Sequence, residues 1–213
     1  MSPLIAIDGP AGSGKSTIAR AIAARLGLSH LDTGAMYRSV TLLVLEAGAD
    51  PADADTAARL AKQMELSCNE RVVLNGRDVT AEIRTPVVDA AVSTVAAHPG
   101  VRAELVARQR AWGASKGGGV VEGRDIGTVV FPKADLKIYL TADPQERARR
   151  RLAQLGASQA AGGDGELAAQ LSRRDAFDST RAASPLAVAP DAVVLDSTHR
   201  SVEDVVKEVL SRL

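Results

Sequence analysis

Gly9-Pro10-Ala11-Gly12-Ser13-Gly14-Lys15-Ser16 is the stretch whose reading decides the fold. It follows a short apolar run, Leu4-Ile5-Ala6-Ile7, and leads straight into an Ala-rich segment from Thr17 to Leu26. Strand, glycine loop and helix in that order, with the spacing G-x-x-x-x-G-K-S, form a phosphate-binding loop. Glycines let the backbone curl into a nest of N–H donors around phosphate oxygens, and the helix N-terminus adds partial positive charge. In such a loop Lys15 reaches the β- and γ-phosphates of a nucleoside triphosphate, and the Ser16 hydroxyl joins the coordination of Mg²⁺.

Composition bounds what surrounds that loop. The 213 residues suffice for one sizeable α/β domain. Lys plus Arg and Asp plus Glu number 26 each, so no net field draws the chain to nucleic acid or to a membrane surface. Aromatic residues are only 2%, which leaves a core of Ala, Val, Leu and Ile and disfavours base stacking on aromatic platforms. The single cysteine, Cys68, makes no internal disulfide and is expected as a buried structural thiol in a reducing, cytoplasmic setting. No apolar run approaches the ~18 residues of a membrane span. The first strand starts within about three residues of Met1, and no signal peptide is expected. Without an obvious apolar surface stripe, a monomer is expected.

Taken in order, Gly27 caps the first helix and Leu28 to Leu31 reads as a second strand. Asp32-Thr33-Gly34 then opens a helix from Ala35 to about Ala47, stopped by Gly48. A linker from Ala49 to Asp55 leads to another helix ending near Met64. Glu65–Asn69, Arg71–Leu74 and Arg77-Asp78-Val79 form a small β insertion turning at Asn75-Gly76. Helices are expected over Pro86–Ala97 and Pro99–Trp112, then a strand at Val120-Val121 ending in Glu122-Gly123-Arg124-Asp125. Leu136–Leu140 is a further strand, and Asp143-Pro144 opens a basic helix. Residues 156–165 are low-complexity and expected to be mobile. A helical segment carrying Arg173, Arg174, Asp175, Asp178 and Arg181 precedes a last strand, Ala192–Leu195, and a helix capped at Ser201.

Five short apolar strands separated by helices predict an α/β fold: a five-stranded parallel sheet covered by helices on both faces. Ligands of such sheets bind beyond the carboxyl ends of the strands. The glycine loop, Asp32, and the pair Arg124 and Asp125 all fall there.

Several motifs together resemble the bacterial cytidylate kinase family of nucleoside monophosphate kinases. They are Ile7-Asp8-Gly9-Pro10-Ala11-Gly12-Ser13-Gly14-Lys15-Ser16-Thr17, Leu31-Asp32-Thr33-Gly34-Ala35-Met36-Tyr37-Arg38 and Val79 to Thr85. Val101-Arg102 through Gln109-Arg110, Glu122 to Pro132, and Arg174-Asp175 through Asp178 to Leu186 complete the set. The likeness covers essentially the whole chain and implies a P-loop kinase domain over residues 1–213 that phosphorylates CMP and dCMP from ATP with Mg²⁺. It implies an acceptor-binding region at about 33–112 with a β insertion at 65–92, and a lid at about 145–182. By the same resemblance Gly9 to Thr17 hold ATP, and Arg38 and Arg124 hold the acceptor phosphate. Thr33, Ser93, Arg102 and Asp125 surround cytosine, Arg174 and Asp178 hold the ribose, and Arg181 closes the same pocket. Arg147, Arg150 and Arg151 match the lid arginines, so that Lys15, Arg38, Arg124, Arg150 and Arg151 form the catalytic set. The segment Asp196-Ser197-Thr198 lies near the donor adenine.

The chemistry of the residues agrees with these roles. A carboxylate such as Asp125 accepts a hydrogen bond from the cytosine amine but repels the carbonyl that uracil carries there. Guanidinium forks suit a phosphate dianion. Phosphoryl transfer needs alignment and charge neutralisation, so neither a side-chain nucleophile nor a phosphoenzyme is expected. Asp8 and Asp125 are both candidates to orient the Mg²⁺ shell, and spacing does not choose between them. Plainer readings stand beside these. His30, His98 and His199 show no metal-ligand spacing and read as structural or surface residues. The run Arg149-Arg150-Arg151 alone reads equally as a solvated face, and Arg173, Arg174, Asp175 and Asp178 as surface ion pairs. Lys133 and the uncharged stretch at 156–165 depart from the family pattern. A guanine-specific switch would carry Asn-Lys-x-Asp, but Asn69 and Asn75 are followed by Glu70 and Gly76.

Overall fold

The computed structural model describes residues 2–155, 163–181 and 184–213. The chain divides into two compact units, residues 1–30 with 117–213, and residues 31–116.

The first unit is built on parallel strands. These are β1 (Leu4–Asp8), β6 (Gly119–Gly123), β7 (Leu136–Thr141) and β8 (Val193–Asp196), with β2 (His30–Asp32) at the edge where the chain leaves the unit. The five-stranded sheet has the order β2-β6-β1-β7-β8, as the α/β reading expects. β1 runs parallel to β6 and β7, and β7 to β8, with Asp8 opposite Gly123 and Thr141 opposite Asp196. That register brings the polar strand ends to one edge of the sheet. β1 and β6 are buried along nearly their whole length, as the apolar runs Leu4-Ile5-Ala6-Ile7 and Val120-Val121 expect, with Glu122 buried beside them.

Helices α1 (Lys15–Leu26), α6 (Pro144–Leu155), α7 (Gly163–Thr180) and α8 (Val202–Leu210) accompany this sheet. Helix α1 buries Ile18, Ala19, Ile22 and Ala23 in the core formed with Ile5, Ile138 and Val205. It ends at Gly27 in the left-handed conformation, where the N–H of Leu28 reaches Ala23 O at 2.9 Å, closing a Schellman motif. Ser201 caps α8 by accepting from Asp204 N at 3.1 Å. The expected mobility of 156–165 concerns mainly residues 156–162, which lie outside the described residues; α7 begins at Gly163.

The second unit comprises α2 (Thr33–Glu46), α3 (Ala54–Gln63), α4 (Pro86–Ala97) and α5 (Pro99–Lys116), with a small antiparallel sheet of β3 (Leu66–Cys68), β4 (Val72–Leu74) and β5 (Arg77–Asp78). Helix α2 packs on α3 and α4, and α5 packs on α3. Asn75 and Gly76 both take positive φ, 49° and 80°, as a two-residue hairpin turn between β4 and β5 demands. Cys68 is half-buried rather than fully buried, and burial pushes its thiol up to about 12.

Element ends depart from the sequence reading where side chains decide them. Asp32 accepts from Ala35 N at 3.0 Å, so α2 starts at Thr33 rather than Ala35. The second strand begins at His30 and α5 continues past Trp112 to Lys116. One turn of π-helix, Ile126–Val130, follows β6 where the sequence pattern gave no element.

Candidate active site

The glycine loop lies between β1 and α1. Gly9 admits no side chain: a Cβ there would stand 2.0 Å from the Leu140 carbonyl oxygen of β7. Gly14 caps α1 at φ +89°, a conformation costly for any residue with a Cβ. Lys15 is buried, and its Nζ donates to Pro10 O at 2.7 Å, folding the side chain back over the loop. Burial, and then the neighbouring Arg124 charge, lower its pKa to about 7. The Ser13 hydroxyl is buried with no hydrogen-bond partner among the described residues. An orphan donor beside a glycine cradle and a buried ammonium fits an oxygen-rich anion.

Ser16 opens the way to a residue the sequence reading did not single out. Its Oγ donates to Glu122 Oε2 at 2.8 Å, and Glu122 Oε1 lies 3.0 Å from His30 Nε2. Glu122 was visible in the sequence only as the residue before Gly123-Arg124-Asp125. Asp8 is committed elsewhere. Its two oxygens accept from Ile126 N at 2.8 Å and Gly127 N at 2.7 Å, tying β1 to the π-turn. Burial outweighs those two hydrogen bonds and raises the Asp8 pKa to about 6.

Beyond β6, Arg124 donates from Nε to Asp178 Oδ2 at 3.0 Å, and Asp125 has Arg181 Nη2 at 3.8 Å. Four of the expected acceptor residues thus meet in pairs between the end of β6 and α7. Arg174 is half-buried on α7. Asp175, also unassigned from sequence, accepts from Ala11 N at 3.3 Å and pairs with Arg147. Arg147 also donates to Ala11 O at 3.1 Å, so α6 and α7 both grip the glycine loop. Arg150 donates to Ser197 Oγ at 2.9 Å and Ser197 O at 2.7 Å, and Ser197 Oγ in turn donates to Ser13 O at 3.0 Å. Arg150 and Ser197 are therefore both brought to the loop. Arg151 is half-buried on α6, and Arg149 is spent on its own helix, pairing with Glu146 at 2.7 Å.

The remaining expected residues lie in the second unit. Thr33 is buried at the start of α2. Arg38 is buried on the same helix, donates to Ile83 O at 3.2 Å and pairs with Asp89 of α4. Arg102 of α5 is buried with its Cζ 5.5 Å from the centre of the Tyr37 ring. The Ser93 hydroxyl of α4 is buried without a hydrogen-bond partner among the described residues, a fit for a ligand-facing group. Among the described residues, no three His, Cys, Asp or Glu side chains converge as a metal cluster.

Comparison with known proteins adds the chemistry of relatives. In solved structures, an uncharacterized protein from Eubacterium ventriosum matches with TM-score 0.55 and 10% identity over 99% of this chain and 97% of that one. A gluconokinase from Sinorhizobium meliloti matches with TM-score 0.50 and 15% identity over 99% and 90%. These likenesses concern the fold alone. A cytidylate kinase from Pelotomaculum thermopropionicum is 50% identical over 99% of this chain and 96% of its own length. One from Mycobacterium leprae is 50% identical over 97% and 93%. A Synechococcus relative named bifunctional pantoate ligase/cytidylate kinase is 51% identical, and this chain spans 45% of it. The family model for cytidylate kinase matches residues 5–213. On a match of that extent, and on identity that runs nearly end to end through two relatives, the chain belongs to the cytidylate kinase family.

Proposed function

We propose that this chain transfers the γ-phosphoryl group of ATP to CMP or dCMP, giving ADP and CDP or dCDP. The observation that carries the reading is the register of β1 and β6. It sets the glycine loop with Lys15 and Ser16 beside a strand end bearing Glu122, Arg124 and Asp125. One side is built for a triphosphate, and the other offers a guanidinium for a second phosphate and a carboxylate for an amine-bearing base.

Gly9, Pro10, Ala11, Gly12, Ser13, Gly14, Lys15, Ser16 and Thr17 bind ATP. Lys15 neutralises charge on the transferring phosphoryl group, and Arg150 and Arg151 act from the lid. Arg124 and Arg38 take the acceptor phosphate through guanidinium forks. Asp125 accepts from the cytosine amine; Thr33, Ser93 and Arg102 serve the rest of the base; Arg174 and Asp178 bind the ribose, and Arg181 steadies Asp125. No covalent intermediate forms on the protein, because alignment and charge neutralisation suffice. Ser16 and Glu122, already hydrogen-bonded, suit Mg²⁺, which takes one or two protein oxygens along with water and phosphate. When bound there, Mg²⁺ would supply positive charge against the phosphate oxygens, and Ser16 and Glu122 would hold it. Asp8 is instead read as the carboxylate that ties β1 to the π-turn, since each of its oxygens already accepts a backbone N–H.

Residues 33–112 form the acceptor-binding region with the insertion at 65–92, residues 145–182 form the lid, and the rest is the core of one kinase domain. The protein works as a cytoplasmic monomer without nucleic-acid partners, in keeping with its balanced charge and single cysteine. No helix among the described residues is long and apolar enough to cross a membrane.

A coupled ADP-release assay with CMP, dCMP, UMP or no acceptor tests the reading. CMP and dCMP should give turnover well above UMP and above the acceptor-free rate. Turnover with UMP equal to or greater than with CMP would overturn the cytosine assignment.

A further inference from the structure

Three side chains from separate parts of the first unit form one hydrogen-bonded chain. Ser16 is the second residue of α1, Glu122 lies near the end of β6, and His30 is the first residue of β2, the neighbour of β6 in the sheet. Glu122 sits between the other two. Its Oε2 accepts from Ser16 at 2.8 Å while its Oε1 lies 3.0 Å from His30 Nε2. A carboxylate only accepts, so Nε2 of His30 carries the hydrogen of that contact.

We infer that His30 is a positioning residue for the divalent-cation site, holding one oxygen of Glu122 so that the other stays aligned on Ser16. The inference rests on the reading of Ser16 and Glu122 as the protein's oxygens for Mg²⁺.

The physical case is one of rotational freedom. The terminal carboxylate torsion of glutamate is broad and roughly two-fold, so each hydrogen bond to its oxygens narrows the planes it can take. Glu122 is only 3% exposed, and water has little access to do the fixing instead. A donor on each oxygen pins the plane. Mg²⁺ demands near-octahedral geometry and keeps several waters, so a tilted carboxylate disturbs the whole shell. Outer partners of metal-site carboxylates orient their ligands in this way, and removing one typically costs about 10–100-fold in metal affinity.

The test measures ATP binding at equilibrium, with excess chelator and with saturating Mg²⁺. The ratio of the two affinities is the metal-dependent gain. His30→Phe keeps the ring volume but loses the hydrogen bond; the gain should fall about 10-fold while the chelator affinity stays at the wild-type value. His30→Gln, whose amide N–H reaches the same oxygen, should retain the wild-type gain. An unchanged gain in His30→Phe, an equal loss with and without metal, or a His30→Gln that behaves like the Phe variant would each overturn the inference. If His30→Phe does not fold, His30→Ala is read by the same criteria. Glu122→Gln separates the two levels: should it keep the full gain, the cation reading itself fails, whatever His30 does.

Discussion

Arg124 and Asp178 hold each other across the end of β6 and helix α7, Nε to Oδ2 at 3.0 Å. The guanidinium proposed for the acceptor phosphate and the carboxylate proposed for the ribose are thus partners before any ligand arrives. On the proposed roles, the acceptor's phosphate competes for Arg124 and its ribose offers hydroxyl donors to Asp178.

Replacing Asp178 by Ala should therefore impair CMP far more than ATP. A hydrogen bond to a charged group contributes about 1.5–3 kcal/mol, so kcat/KM for CMP should fall about 10-fold or more. The KM for ATP should stay near the wild-type value. Steady-state kinetics with each substrate varied in turn checks this, and an equal loss toward both would point to a folding defect.

Lys15→Ala should lower turnover by ~10²-fold or more, because it removes the charge proposed to stabilise the transferring phosphates. Near-normal turnover would mean that the loop is not the donor site.

The pH dependence of ATP binding reports on the same residue. Burial holds Lys15 at about 7 in the ligand-free protein, and a polyphosphate beside it favours the charged form. A lowered lysine pKa means that the ammonium is lost as pH rises through that value. ATP affinity should accordingly fall by about tenfold per pH unit above neutrality, with proton uptake on binding at about pH 8. Calorimetry in two buffers of different ionisation enthalpy measures both. A pH-independent affinity with no proton uptake would contradict the assignment.

Asp125→Ala should cost about 1–3 kcal/mol in kcat/KM for CMP and narrow the preference over UMP. A CMP/UMP ratio that does not change would remove Asp125 from base recognition.

Asp8→Asn probes the support beneath these residues. Asn offers one acceptor oxygen where Asp8 serves two N–H groups, so one of the Ile126 and Gly127 amides is left facing an NH₂. A buried amide without its partner costs about 1–3 kcal/mol, to be read as a loss of stability in denaturant titration. Wild-type stability in the variant would mean that the π-turn does not depend on this carboxylate.

Much of the fold was legible because its signals are local. The glycine loop, Gly27 and Asn75-Gly76 are fixed by backbone conformations that few residues adopt. The Ser201 cap needs only residues within one turn. The buried runs of β1 and β6 are long enough to read as parallel strands. What was hidden depends on contacts distant in sequence. Glu122 is 106 residues from Ser16 and 92 from His30, and no spacing rule joins them. Asp175 meets Ala11 across 164 residues. The π-turn at Ile126–Val130 has no periodic signature, since Asp8, 118 residues away, anchors its start. Sequence spacing left Asp8 and Asp125 both open as the metal carboxylate, and Glu122 is proposed instead because Ser16 donates to it at 2.8 Å, a contact no spacing rule announces.

The most direct measurement is a competition. Equal concentrations of CMP, dCMP and UMP share a limiting amount of ATP labelled in its γ-phosphate, with Mg²⁺ present, and the products are separated. Label should appear in CDP and dCDP, with little in UDP, in inorganic phosphate or on the protein. Label gathered mainly in UDP, in free phosphate or on a side chain would contradict a direct transfer to a cytosine nucleotide.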